Sequence, residues 1–199
     1  MSATTPPGGS RGRPRDPNTD HAIAAAVGQV LIDKGYSALS YDQVASAAGV
    51  SRPTLYLRAN SKAALVVTAL VKRYGLTPVP DTGNLRDDLL CLQRQQVSLY
   101  SDPAFLAALP GILTDIRTDQ RARSAWNDGF VHPRRRGVHV AVQRAAERGE
   151  IEGNIDGDWI CDLLTGPLIS VAFLQGPRAL PDALAEQTVT TVLHMTRRP

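Results

Sequence analysis

The sequence is poor in aromatic residues, with three Phe, two Trp and five Tyr among 199 positions. Hydrophobic residues nevertheless make up 43%, so aliphatic side chains and alanine must fill a core. Alternating β-branched runs are few, and the expected architecture is helices packed on helices rather than sheets. Cysteine is almost absent. Cys91 and Cys161 lie far apart without CxxC spacing, which predicts two buried free thiols in a reducing compartment and no disulfide framework. The four histidines, His21, His132, His139 and His194, lack HxxxH or other metal-ligand spacing. There is no GxSxG, no Walker loop and no GxGxxG, so no enzyme chemistry, metal or cofactor is expected. Met1 to Arg15 contains no apolar stretch of signal-peptide type. The longest apolar stretch, Leu163 to Leu174, is interrupted by Gly166 and Pro167 and reads as too short to cross a bilayer. A cytoplasmic protein without a membrane partner is expected.

Charge is unevenly placed. The formal net charge is only +3, yet residues 11–75 hold nine Lys/Arg against four Asp. The remainder is therefore slightly acidic. A basic front beside an acidic rear points to a polyanion partner for the front and a different task for the rear.

Residues 1–15 are rich in Pro, Gly, Ser, Thr and Arg and lack apolar periodicity, as in a disordered arm. A domain is expected over 16–75. Asp16-Pro17 resembles a helix start, Ile23, Val27, Val30 and Leu31 share one helical face, and Gly35 ends that helix. Ser40 and Gln43 have capping-box spacing for a second helix, which runs to Ala48 before Gly49. Ser51 caps a short third helix reaching about Arg58, and Ser61 caps a fourth reaching about Tyr74. Residues 76–84, with Pro78, Pro80 and Gly83, read as a linker. Helices then follow near 85–101, 103–115, 119–130, 133–149, 156–175 and 181–196, giving an all-α chain of about nine or ten helices.

From Ser40 to Tyr56 the sequence reads S-Y-D-Q-V-A-S-A-A-G-V-S-R-P-T-L-Y. Two short helices that cross closely need a small residue at the crossing, here Ala45. They need a left-handed residue four positions later, here Gly49, and core anchors, here Val44, Val50 and Leu55. The exposed face of the second helix would then present Arg52, Thr54 and Tyr56 to a major groove.

The run V-A-x-x-A-G-V-S-x-x-T-L-Y from Val44 to Tyr56, followed by S-K-A-A-L with Lys62, resembles the TetR family of bacterial repressors. The D-L-L-T-G-P-L segment from Asp162 and the leading R-G-R-P-R-D-P from Arg11 are similar to patterns in one actinobacterial branch of that family. The resemblance implies a DNA-binding transcriptional regulator, released from its operator by a small-molecule effector. It places Ser51, Arg52, Pro53, Thr54 and Leu57 on the recognition helix, makes Tyr56 and Lys62 phosphate contacts, and makes Ser40 and Tyr41 backbone contacts at a helix N-terminus. Arg58 reads equally as a phosphate contact or as surface. Two positions depart from the family pattern. Pro53 removes one donor, and Ala59 stands where a large aromatic usually plugs the base of the domain.

Arg11-Gly-Arg13-Pro-Arg15 resembles an AT-hook suited to a narrow minor groove; the alternative is a generic basic tail. The family implies an effector and dimerisation domain over 85–199. Candidates for an effector pocket are Leu92, Gln96, Leu99, Phe105, Leu109, Ile112, Trp126, Phe130, Leu164, Leu168 and Phe173. The helix at 156–175 is apolar nearly all round and should be buried on several sides. With the helix at 181–196 it would form a homodimer that matches a palindromic operator. Arg134-Arg135-Arg136 after Pro133 reads as a solvated helix start, or else as a charge that biases a ligand or partner toward anions. A regulator without an effector remains the alternative.

Overall fold

The computed structural model describes residues 17–75, 78–151, 155–175 and 180–196. The arginines of the N-terminal arm, Arg11, Arg13 and Arg15, and the Asp16 cap lie outside the described residues. The chain is all-α, in the order α1 Pro17–Ala38, α2 Tyr41–Ala48, α3 Arg52–Tyr56, α4 Lys62–Tyr74, α5 Leu85–Ser101, α6 Pro103–Thr118, α7 Gln120–Trp126, a π-turn Asn127–Val131, α8 His132–Glu147, α9 Gly157–Leu174 and α10 Asp182–Thr196.

The local signals account for most boundaries. Gly35 interrupts α1 at φ 75°, ψ 170°, and a single turn from Tyr36 to Ala38 follows. Ser40 and Gln43 form both halves of a capping box at α2. At its other end Gly49 is left-handed, at φ 66°, and the Val50 amide reaches back to the Ala45 carbonyl at 3.0 Å, a Schellman ending. Ser51, Ser61, Asn84, Asp102, Asp119 and Asp156 cap the helices that follow them.

Two helices differ from the sequence expectation. Residues 120–147 form one continuous run, and the expected break before Pro133 is replaced by the π-turn. There the His132 amide reaches five residues back, to Asn127. This widened turn accommodates Pro133, which has no amide and would crowd the carbonyl four residues earlier in a regular helix. The second difference is α9. Pro167 does not break it, and its 18 residues are long and apolar enough to cross a membrane by length and composition. Nor is it buried on several sides. Ile160, Cys161, Leu164, Leu168 and Ala172 are covered, while Trp159, Ile169 and Leu174 are exposed. The intramolecular neighbours α5, α8 and α10 cover one side only.

The front helices do not form a separate core. α1 packs on α4 and also on α6, and one apolar cluster runs from Ile23 and Leu31 through Leu65 and Leu70 to Leu89, Phe105, Ile112 and Leu168. Buried Gln93 of α5 donates to the Leu164 carbonyl (2.7 Å) and to Thr188 Oγ1 (3.0 Å), tying α5 to α9 and α10. Asp88, also fully buried, accepts from the amide and hydroxyl of Thr82 and so pins the segment before α5.

Candidate nucleic-acid interface and ligand cavity

α2 and α3 meet as the sequence implies. Val44 and Leu55 are fully buried and Ala45 is covered at the crossing, leaving the other face of α3 free. Pro53 takes the second position of α3, where its missing amide costs no helical bond. The exposed face carries a connected set of side chains. The Arg52 guanidinium lies 3.2 Å from Asp42 and donates to the Tyr56 hydroxyl at 3.2 Å. Tyr56 stacks on Tyr41 with ring centroids 4.4 Å apart and planes 7° apart. The Tyr56 hydroxyl and the neighbouring Asp42 carboxylate hold the Arg52 guanidinium more basic than usual. Ser51 and Thr54 share a hydroxyl contact at 2.9 Å. Leu57 is 80% exposed.

Three positions are more constrained than their sequence reading. Lys62 Nζ donates to the Tyr36 (3.2 Å) and Ser37 (3.4 Å) carbonyls and lies 4.6 Å from the Tyr36 ring centroid. It thus caps the end of α1, and one of its three N–H groups remains for another acceptor. The Ser40 amide is engaged by Gln43 Oε1 at 3.0 Å and the Ser40 hydroxyl oxygen accepts from the Gln43 amide at 3.4 Å, so of Ser40 only the hydroxyl proton is left to donate outward. Arg58 is neither free surface nor a free phosphate ligand. It bonds Asp20 of α1 at 2.6 Å and the Thr54 carbonyl at 3.0 Å, clamping the end of α3 to α1. Asp20 was not singled out in the sequence, where a first-turn acid reads only as helix-dipole compensation. Ala59 is buried without a plug. In its place the Tyr41 hydroxyl spans the gap to the Ala59 carbonyl at 2.8 Å.

Behind this head lies a cavity of about 1260 Å³ between α4, α5, α8 and α9 and the π-turn. Of the candidates drawn from the sequence, Leu92, Gln96, Leu99, Trp126, Phe130 and Leu164 line it. Phe105, Leu109, Ile112 and Leu168 do not. They are at most 2% exposed and belong to the core behind the wall, where Phe105 packs edge-on against Tyr74 and Tyr100. Phe173, near the end of α9, is also absent from the lining. Tyr74 and Tyr100 line the cavity and carry no such signal in the sequence, while Arg134, which the sequence offers as a bias toward anions, lines it too. Helical spacing marks an apolar face without telling which part of it meets space rather than neighbours.

Of the arginine run only Arg136 is exposed, as a solvated helix start would be; Arg134 and Arg135 are partly buried and engaged. Arg134 lies 3.6 Å from the Phe130 ring centroid, and Phe130 stacks on Trp126 at 4.4 Å. Arg135 bonds Asp158 (2.9 Å) and Asp162 (2.7 Å). Cys161 is buried, with its thiol pushed up to about 11 by burial, whereas Cys91 is exposed on α5, against the expectation of two buried thiols. His139, Asp158 and Cys161 come together across α8 and α9, their ligand atoms within 4.8 Å of one another, a grouping invisible to spacing. Within this group the Asp158 carboxylate is already engaged, by the Arg135 guanidinium and by His139 Nε2, each at 2.9 Å.

Comparisons with known proteins agree with this arrangement. A profile described as "Bacterial regulatory proteins, tetR family" matches residues 22–69. A second, described as "Tetracyclin repressor-like, C-terminal domain", matches residues 79–192. The chain is 33% identical over 162 residues to an uncharacterized HTH-type transcriptional regulator of Mycobacterium tuberculosis (strain ATCC 25618 / H37Rv), covering 79% of each. It is 32% identical over 184 residues to the DNA-binding transcriptional repressor TetR of Mycobacteroides abscessus, covering 89% of this chain and 93% of that one. Among solved structures, the TetR family transcription regulator SCO0332 superposes with a TM-score of 0.70 at 25% identity, over 92% of this chain and all of that one. FadR from Bacillus subtilis, solved with stearoyl-CoA, shares the fold at 16% identity, with a TM-score of 0.68 over 86% of this chain and 96% of that one.

Proposed function

The chain belongs to the TetR family of DNA-binding transcriptional regulators, and on that premise we propose that it is a cytoplasmic repressor released from a palindromic operator by a small molecule. Its relatives are transcription regulators and not enzymes. The family binds operator DNA as dimers. The observation that carries the proposal is the course of α4. It begins at Lys62, against the end of α1, and finishes at Tyr74 and Gly75 in the wall of the large cavity. A ligand that favours one position of α4's end thereby favours one setting of the head, by differential binding.

In this reading residues 16–75 bind DNA, 76–84 link, and 85–199 bind effector and dimerise. Arg52 and Thr54 read bases, with Ser51, Pro53 and Leu57 bordering the groove. Tyr56, the Ser40 hydroxyl, the Tyr41 amide and the remaining N–H of Lys62 meet phosphates. With Arg58 and Lys62 occupied inside the head, the arm residues Arg11, Arg13 and Arg15 supply much of the charge, in the minor groove. The open face of α9, with Trp159, Ile169 and Leu174, and Met195 of α10 meet their copies across a two-fold axis. The experiment is to recover the genomic fragments retained by the purified protein, then titrate a metabolite library against that complex. Release by a compound that also raises the melting temperature supports the reading. Compounds that stabilise the protein but leave the complex intact would refute effector control.

A further inference from the structure

Four arginines (Arg94, Arg134, Arg135 and Arg136) and two aspartates (Asp87 and Asp162) line the cavity. Both carboxylates have arginine partners. Asp87 pairs with Arg86, and Asp162 with Arg135. Arg94 pairs with Glu186. Neither Arg134 nor Arg136 has a carboxylate partner among the described residues, but Arg136 is exposed. Arg134 is partly buried, with its guanidinium 3.6 Å from the Phe130 ring centroid. Among the described residues the bonds of Arg134 run only to the Phe130 carbonyl (3.2 Å) and, at the long distance of 3.4 Å, to the carbonyl of Gly75. Burial pushes its guanidinium down to about 10, which still leaves it charged at neutral pH. A partly buried cation with only neutral partners carries a desolvation cost, and the Phe130 face offsets part of it. Three of its five N–H groups remain for a ligand.

We propose that the cavity takes an organic carboxylate with an apolar body: its carboxylate pairs with Arg134, its body lies along Leu92, Leu99, Trp126 and Leu164, and the pairing draws Arg134 away from the Gly75 carbonyl. The proposal rests on the effector reading above and deepens it. Gly75 caps α4 at φ 57°, so the contact with Arg134 is a direct tie between the cavity and the helix that carries the head. A carboxylate competes for that guanidinium far better than one carbonyl at 3.4 Å, because charge-assisted bidentate pairing is the stronger interaction. A matched amide lacks the charge, and a matched amine adds a second cation.

The test uses the full-length protein with decanoate and naphthoate, decanamide and naphthamide, and decylamine and naphthylmethylamine, read by melting temperature, calorimetry and operator affinity. The carboxylates are expected to stabilise the protein and weaken operator binding, whereas the amides and amines do neither. Arg134→Gln is expected to lower carboxylate affinity about ten- to a hundredfold, the range for hydrogen bonds to a charged group. Arg134→Lys, which keeps the charge without the fork, should recover part of it. The melting temperature of unliganded Arg134→Gln, equal to or above wild type, shows that the variant folds. Stabilisation by amides or amines in place of carboxylates would overturn the anion assignment while leaving the effector reading intact. Carboxylate binding that depends on Arg134 but leaves the operator complex untouched would uphold the site and overturn the effector reading. No response to either carboxylate, or an equal response in Arg134→Gln, overturns the proposal.

Discussion

Gly111→Ala on α6 is the most exacting test of how head and rear are joined. At an open helical site, alanine in place of glycine would add about 1 kcal/mol of stability. Here an added Cβ would fall inside the Tyr36 ring. Its three nearest neighbours are ring carbons Cδ1, Cγ and Cε1, the farthest of them at 2.6 Å. The ring cannot simply swing aside. Its hydroxyl donates to Asp115 at 2.6 Å, its carbonyl accepts from Lys62, and the side chain is only 6% exposed. Overpacking costs about 1–3 kcal/mol, and disrupting a hydrogen bond to a carboxylate costs about 1.5–3 kcal/mol more. Against the propensity gain, the net loss is about 1.5–5 kcal/mol. For a chain of this size that corresponds to roughly 3–20 °C in melting temperature, at fixed protein concentration. The decisive assay is a double-mutant cycle with Tyr36→Ala, read by thermal and urea unfolding. In the Tyr36→Ala background the clash is gone, and Gly111→Ala should be neutral or stabilising. If Gly111→Ala is harmless in wild type, or equally harmful in both backgrounds, the joint at Tyr36 is not built as described.

Other outcomes follow from the head. Arg52→Ala should lower operator affinity more than affinity for random DNA, by about 1–3 kcal/mol of discrimination, measured by competition binding; wild-type discrimination would remove Arg52 from the reading face. Deleting residues 1–15 should weaken operator binding and flatten its salt dependence without changing ligand response, and equal affinities with and without the arm would dismiss it. Arg58→Ala should lose operator affinity through a misplaced α3 as well as stability, and Asp20→Asn should reproduce part of both, whereas a pure phosphate contact would leave the Asp20 variant unaffected. Burial raises the Asp102 carboxyl, but hydrogen bonds from Tyr74, Arg73 and the Ala104 amide more than offset this and hold it below its usual value. A group held low stabilises above its unfolded pKa and loses that contribution as pH falls. Asp102→Asn should therefore cost stability at neutral pH, and the gap to wild type should close below about pH 4; a gap independent of pH would reject the assignment.

Much of this arrangement is written in local chemistry. Ser40 with Gln43, Gly49 after Ala48, and Ser51 before Pro53 each fix a helix end through contacts within a few residues, so the helix-turn-helix could be read directly. The fate of the long cations could not. Lys62, Arg58 and Arg134 are each settled by a partner from a distant segment: the Tyr36 carbonyl, Asp20 and the Gly75 carbonyl. The cavity was legible only in part for the same reason. Leu92 and Leu168 look alike on a helical wheel, yet one faces space and the other faces neighbours. The π-turn left no periodic signal, although it sets both Phe130 and Arg134 in the cavity wall.

The uninterrupted core has a consequence for engineering. A head excised after Gly75 would leave bare the α1 face that packs on α6, including the Tyr36 ring. The DNA-reading unit is therefore not an interchangeable cassette. A chimera that grafts it onto the rear of another regulator should fold well only if the recipient's α6 brings a glycine to Tyr36 and a carboxylate to its hydroxyl. Operator specificity is better exchanged along the outer face of α3 alone.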